Sequence, residues 1–259
     1  MDEKPFANTT ALVTGAGHRL GRVMALRLGA LGARVVVHHG KSSSAAVDVC
    51  ARLHRMGVEA VPVQADLSEP KQAETLVERA RKAAGGPLRF LINNAADFPK
   101  AKLEKLEWDE LAESLRIDAW APLALTRAFA AQVERPADHD EHTPLGAVVN
   151  ILDARIADYD WEHAGYHLAK RMLADLTQLC AVRFAPDVTV NGVAPGPILP
   201  PPGEGKATLE RWAKHLPLQR TPTPDDVADA ALFLLGARSV TGQVVYVDSG
   251  RHLGRAVYA

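Results

Sequence analysis

The chain has 259 residues, enough for one large or two small domains, with 47% hydrophobic and 24% charged residues. Its 30 Lys+Arg against 31 Asp+Glu leave a formal net charge of −1, so no global field draws it to nucleic acid or to an anionic membrane. No apolar run approaches the roughly 20 residues that span a bilayer.

The opening MDEKPFANTT is acidic and polar, unlike a signal or transit peptide. Cys50 and Cys180 lack CxxC spacing and read as small packed side chains in a reducing compartment. A cytoplasmic protein is expected.

Short apolar runs rich in β-branched residues alternate with longer amphipathic segments. Strands are expected at 11–14, 34–38, 60–64, 90–93, 147–152, 189–193 and 244–247. Helices are expected near 20–31, 43–56, 70–84, 107–117, 120–134, 160–183 and 225–235. Seven strands with helices between them, and no composition shift, point to one α/β domain: a doubly wound parallel sheet of about seven strands with helices on both faces. The polar stretch 134–146 reads as a solvated connection, and its His139 and His142 sit in an acidic setting that does not suit a zinc site. A proline- and glycine-rich excursion follows the sixth strand. Loops beyond the carboxyl ends of the strands are where open α/β sheets bind ligands, so residues 195–216 are read as a substrate cover.

TGAGHRLG, Thr14 to Gly21, follows the first strand directly. Gly15, Gly17 and Gly21 permit a tight turn, and the backbone around His18, Arg19 and Leu20 opens a helix whose free N–H groups suit a phosphate. The spacing carries one residue more than G-x-G-x-x-G. His18, Arg19 and Arg22 crowd a helix start, where the macrodipole disfavours cations by about 0.3–1 kcal/mol each. A bound anion reverses that penalty and gives Arg19 a bidentate partner; the plainer alternative is an arginine pointing into solvent.

The second strand ends in HHGKSSS, without the acid that usually holds an unphosphorylated ribose. His38, His39, Lys41 and Ser42 instead offer donors and positive charge, which suits the 2′-phosphate of NADPH. Asp66, beside Leu67, is placed to accept from an adenine amino group. Asn93 and Ala95 in NNAA, and Pro195 and Gly196 after the sixth strand, are expected along the cofactor.

Tyr166 and Lys170 in GYHLAK are four apart and share a helix face. A tyrosine titrates near about 10, and a lysine cation stabilises its phenolate, so the pair can move a proton near neutrality. Alone, this spacing also fits an ordinary surface pair. Taken in order, however, the glycine turn, NNAA, YHLAK, VNGVAPG and TGQVVYVDSG resemble the short-chain dehydrogenase/reductase family across nearly the whole chain. The resemblance implies a Rossmann-type sheet, a nicotinamide cofactor and a homotetramer. It also implies Tyr166 as proton donor, with Lys170 binding the nicotinamide ribose and lowering the tyrosine pKa.

Thirteen residues before the tyrosine, where the family usually has serine, this chain has Asp153. An ionised aspartate cannot donate to a carbonyl oxygen and repels charge developing there, so the pattern favours C=N over C=O reduction. Arg19 in the turn, Asp153 and Phe98 after NNA together resemble the pteridine reductase branch. That resemblance implies that Arg19 reaches cofactor phosphate and pterin, that Lys41 and Ser42 hold the NADPH phosphate, and that Phe98 stacks on the pterin; plain packing of Phe98 is the alternative. Leu199 and Trp212 offer lid contacts, and Trp161 either lines the pocket or packs. Asp118 replaces the helix asparagine common in the wider family.

The expectation is an NADPH-dependent reductase of dihydropterins or dihydrofolate, with no metal, in which Asp153, Tyr166 and Lys170 manage the proton. The rivals are a carbonyl reductase acting on a 3-oxoacyl thioester or similar, and a non-catalytic NADPH-sensing protein.

Overall fold

The computed structural model describes residues 4–133, 143–200 and 203–256. His139 and His142 lie outside the described residues, as do 201–202 of the expected lid. The seven strands are β1 (Thr10–Val13), β2 (Arg34–His39), β3 (Ala60–Gln64), β4 (Phe90–Asn93), β5 (Gly146–Ile151), β6 (Val188–Pro195) and β7 (Val244–Val247). They form one sheet in the order β3-β2-β1-β4-β5-β6-β7, with every adjacent pair parallel. Strand order reverses between β1 and β4, the place where a doubly wound sheet opens a crevice at its carboxyl ends.

Alternate strand residues feed two cores. Val13, Val35, Val37, Ile92 and Val149 pack under α1 (Arg19–Ala30), α2 (Ser43–Arg55) and α8 (Pro224–Gly236). Leu12, Val36, Leu91, Val148 and Val190 pack under α3 (Pro70–Ala84), α5 (Ala121–Ala131) and α6 (Ala164–Phe184). Burial on both faces is why the strands read as continuous apolar runs rather than alternating ones. The sequence expectation of a doubly wound α/β sheet is met.

Three local differences have physical causes. Residues 160–163 precede α6 instead of opening it, because Asp160 Oδ1 accepts the backbone N–H groups of Glu162 and His163 at 3.0 and 3.2 Å. The break expected between two helices near 117–120 is a π-helical turn, Arg116–Trp120, that joins α4 (Trp108–Leu115) to α5. Pro122 lacks an N–H and its ring crowds the carbonyl four residues back, that of Asp118; a wider turn relieves that clash. Lastly, the proline- and glycine-rich excursion contains a helix, α7 (Lys206–Ala213).

Candidate active site

The glycine turn leaves β1 through Gly15, whose φ of 62° favours a residue without Cβ. A Cβ on Gly21 would lie 2.3 Å from the Gly15 carbonyl oxygen, so the last glycine lets α1 start directly against the turn. No side chain caps α1 and its first turn holds no acid, which leaves the helix start open to an anion. Arg19, the first residue of α1, has φ 47°, a left-handed conformation costing a residue with Cβ about 1–2 kcal/mol. Its Nη2 donates to the Pro200 carbonyl at 3.2 Å. Arg19 thus bridges the turn and the lid. Lys41 is exposed and Ser42 is the N-cap position of α2, a helix that also starts without a side-chain cap or an acid in its first turn. These two uncapped helix starts and their cations fit the phosphates of a dinucleotide.

Two residues expected at the cofactor, His38 and His39, are buried. His38 is 2% exposed: its Nδ1 accepts from the Gly15 N–H at 3.1 Å and its Nε2 lies 3.1 Å from the Ala65 carbonyl. Burial lowers its pKa to about 4, with the Ala65 hydrogen bond opposing. A neutral ring with both nitrogens committed to backbone offers no charge to a phosphate; it ties the glycine turn to β2 and β3. His39 is also buried, with Nδ1 3.1 Å from the Gly40 carbonyl.

Asn93 is 2% exposed and its amide donates to Asn150 Oδ1 at 2.8 Å. Asn150 in turn donates to Thr177 Oγ1 at 2.9 Å. This chain of side chains locks β4, β5 and α6 together beneath the site. Ala95 does lie at the turn: its N–H, like that of Asn94, donates to Thr14 Oγ1, at 2.9 and 2.8 Å. Asp66 Oδ1 accepts from the Ser68 N–H and hydroxyl, and these bonds hold its carboxyl below the usual range despite some burial. Leu67 is buried in the second core. Pro195 ends β6, and the Gly196 N–H continues the sheet by donating to the Val247 carbonyl at 2.9 Å.

Tyr166 and Lys170 share the inner face of α6, as their spacing requires. The Tyr166 hydroxyl donates to Asp153 Oδ2 at 3.1 Å, while Asp153 Oδ1 accepts the Arg155 N–H at 2.8 Å. Both carboxylate oxygens are therefore oriented. Lys170 Nζ donates to the Ile151 carbonyl at 3.0 Å and lies 3.2 Å from Asp118 Oδ1.

Asp118, placed by the π-helical turn, is fully buried and also accepts the Asp97 N–H at 3.3 Å. Burial raises its pKa to about 6 even with Lys170 opposing. The Tyr166 phenol is pushed well above its ordinary value, first by burial and then by Asp153 and Asp118. Lys170 is paired with Asp118, so beside burial it is the two carboxyl groups that act on the phenol.

Phe98 stands at the mouth of this group. Its ring meets Tyr166 edge-on at 4.7 Å and stacks on His163 at 4.0 Å, with the Arg155 guanidinium 5.0 Å from its centroid. Asp160 joins the two supports, accepting from Arg155 Nη1 at 2.6 Å and pairing with His163 Nδ1 at 3.0 Å. Burial pushes the Asp160 carboxyl up, but Arg155 and His163 more than offset it. The half-exposed aromatic platform is thus braced rather than loose. In the lid, Leu199 and Trp212 are partly buried, whereas Trp161 is 59% exposed.

A family model described as enoyl-(acyl carrier protein) reductase matches residues 15–252. The chain belongs to the short-chain dehydrogenase/reductase family. Within this family, pteridine reductase 1 of Leishmania tarentolae is 31% identical over 99% of this chain and 100% of that protein. A 3-oxoacyl-(acyl-carrier-protein) reductase of Synechocystis sp. is 29% identical over 93% of this chain and 95% of its own length. Among solved structures, FolM alternative dihydrofolate reductase 1 from Brucella canis, complexed with NADP, has a TM-score of 0.86 and 32% identity over 96% of both chains. The likenesses to pteridine reductase 1 and to the FolM protein support the pteridine reductase-like branch of the family.

Sequence reasoning missed Thr14, Asn94 and Asn150, which position the crevice, and the Arg155–Asp160–His163 brace. Asn94 was visible beside Asn93 in NNAA, but only strand pairing shows which of the two turns outward. The brace carries no spacing signal: its members meet because Asp160 closes a turn.

Proposed function

We propose that this short-chain dehydrogenase/reductase is an NADPH-dependent reductase of a pterin ring C=N bond, taking a dihydropterin or dihydrofolate to its tetrahydro form. The observation that carries the reading is the Tyr166–Asp153 hydrogen bond. At the position that usually supplies a hydroxyl donor, this chain has a carboxylate held by two donors, which suits ring N–H groups rather than a carbonyl oxygen. Phe98, braced beside Tyr166, gives a flat ring an aromatic partner, contributing about 0.5–1.5 kcal/mol beyond burial.

When bound, NADPH supplies the hydride. The uncapped start of α1 with Arg19 holds the pyrophosphate, and Lys41 and Ser42 at the start of α2 take the 2′-phosphate. One Lys170 donor is directed to the Ile151 carbonyl while Asp118 lies 3.2 Å away as an ion pair, so a further Lys170 donor would be available to a ribose hydroxyl. Tyr166 holds the proton delivered to the substrate nitrogen, and Asp153 orients that hydroxyl while accepting from the ring.

The likeness to a 3-oxoacyl reductase favours carbonyl reduction as the second reading. NADPH oxidation followed by absorbance with dihydrobiopterin, dihydromonapterin, dihydrofolate and an acetoacetyl thioester separates the two. Turnover on a dihydropterin or dihydrofolate and none on the thioester is expected. Turnover on the thioester alone rejects the pterin reading, and NADPH binding without turnover on any of them favours a sensor.

A further inference from the structure

The Asp160 carboxylate divides its two oxygens between two jobs. Oδ1 accepts the backbone N–H groups of Glu162 and His163 and so closes the turn that leads into α6. Oδ2 is given to side chains instead: it accepts from Arg155 Nη1 at 2.6 Å and faces His163 Nδ1 at 3.0 Å. The turn needs only the first oxygen. The second serves the two side chains that flank Phe98.

Phe98 depends on those side chains for its place. Its loop follows β4 and is joined to the segment before α6 by backbone bonds: the Ala101 N–H donates to the Glu162 carbonyl at 3.1 Å, and the Ala164 N–H donates to the Ala101 carbonyl at 3.0 Å. These bonds align the two segments without touching the ring, which is 46% exposed. The ring meets the His163 imidazole face to face, at an interplanar angle of 17°, the Tyr166 ring edge-on, and the Arg155 guanidinium. Arginine and histidine side chains rotate, and each needs an anchor to hold a ring in place. Asp160 is short, mostly buried and tied to the backbone through Oδ1, so its charged Oδ2 can anchor both.

We propose that Asp160 is a positioning residue whose Oδ2, through Arg155 and His163, sets where Phe98 stands beside Tyr166 and thereby how tightly the site binds a flat ring. The identity of that ring rests on the pterin reading of the site; the bracing of Phe98 does not. The reacting groups are held by other contacts, Asp153 by the Arg155 backbone N–H and Lys170 by the Ile151 carbonyl and Asp118. Loosening the brace therefore weakens ring binding and spares proton transfer.

Asp160→Asn isolates the second oxygen. It keeps an acceptor for the Glu162 and His163 N–H groups but replaces Oδ2 by an amide donor, which cannot accept from Arg155. The full-length wild type, Asp160→Asn and Arg155→Met are labelled with 4-fluorophenylalanine, and the Phe98 fluorine signal is assigned with Phe98→Leu. In both brace variants that signal is expected to move toward its position in urea-unfolded protein, while the signals of the buried Phe90 and Phe129 stay. In steady-state NADPH oxidation with dihydrobiopterin, KM is expected to rise about 2–10-fold, the worth of one aromatic contact, with kcat within about twofold of wild type.

A Phe98 signal that is the same in wild type and Asp160→Asn overturns the proposal, as does a fall in kcat at unchanged KM. So does a moved signal with unchanged KM for a dihydropterin that the enzyme turns over. Should Asp160→Asn fail to fold, Arg155→Met, whose lost guanidinium takes no part in the turn, decides on the same two readouts. A moved signal in an enzyme without turnover on any pterin rejects the pterin reading and supports the bracing of Phe98.

Discussion

At the glycine turn the buried polar side chains are neutral and bonded to backbone: His38 to Gly15 and Ala65, and Thr14 to Asn94 and Ala95. At the tyrosine the polar groups are ionisable and face one another: Asp153 against Tyr166, Asp118 against Lys170, Asp160 against Arg155 and His163. The first arrangement makes a rigid cradle whose charge comes from its rim, Arg19 and Lys41. The second stores charge inside the protein, where it sets proton affinity. A cofactor that binds through phosphates needs shape and exposed cations, whereas proton transfer needs groups whose affinities are set by burial and by neighbours.

The largest effect should break the reacting end alone. Tyr166→Phe removes only the phenolic proton and is expected to lower kcat by about 10²–10⁴-fold, with NADPH affinity, read by fluorescence titration, unchanged. Equal turnover would remove Tyr166 from proton delivery.

Next comes the cradle's stability. The folded-state pKa of His38, about 4, lies below its ordinary 6.5. Its contribution is therefore complete above pH 6.5 and lost as pH falls through that value toward 4. The loss amounts to about 3 kcal/mol. Urea unfolding between pH 7 and 4 should show this dependence in the wild type and a flatter one in His38→Gln; parallel curves would show that His38 is not held neutral.

The smallest effect sharpens the role of the rim. Arg19→Ala removes one charge-assisted contact and one lid bond, so the Kd for NADPH should rise about tenfold. If melting temperature changes and the Kd does not, Arg19 is a lid contact only.

Element order, the glycine turn after β1 and the shared face of Tyr166 and Lys170 were all determined by the sequence, because each rests on local geometry: strand and helix periods, a turn that needs glycine, a spacing of four. Asp153 was legible for a similar reason, its fixed distance along the chain from the tyrosine. The inward turn of His38 and Asn93 was not. In a parallel sheet covered on both faces, nearly every position of a central strand such as β2 or β4 is buried, and no alternation marks which polar residue will face backbone and which will face a ligand.

Asp118 stood in the sequence as a departure without a consequence. Only the tertiary structure decided that Pro122 widens the helix at that residue and that α6 brings Lys170 within 3.2 Å of it. A proton affinity depends on burial and on charges from distant segments, and these exist only after the chain has packed.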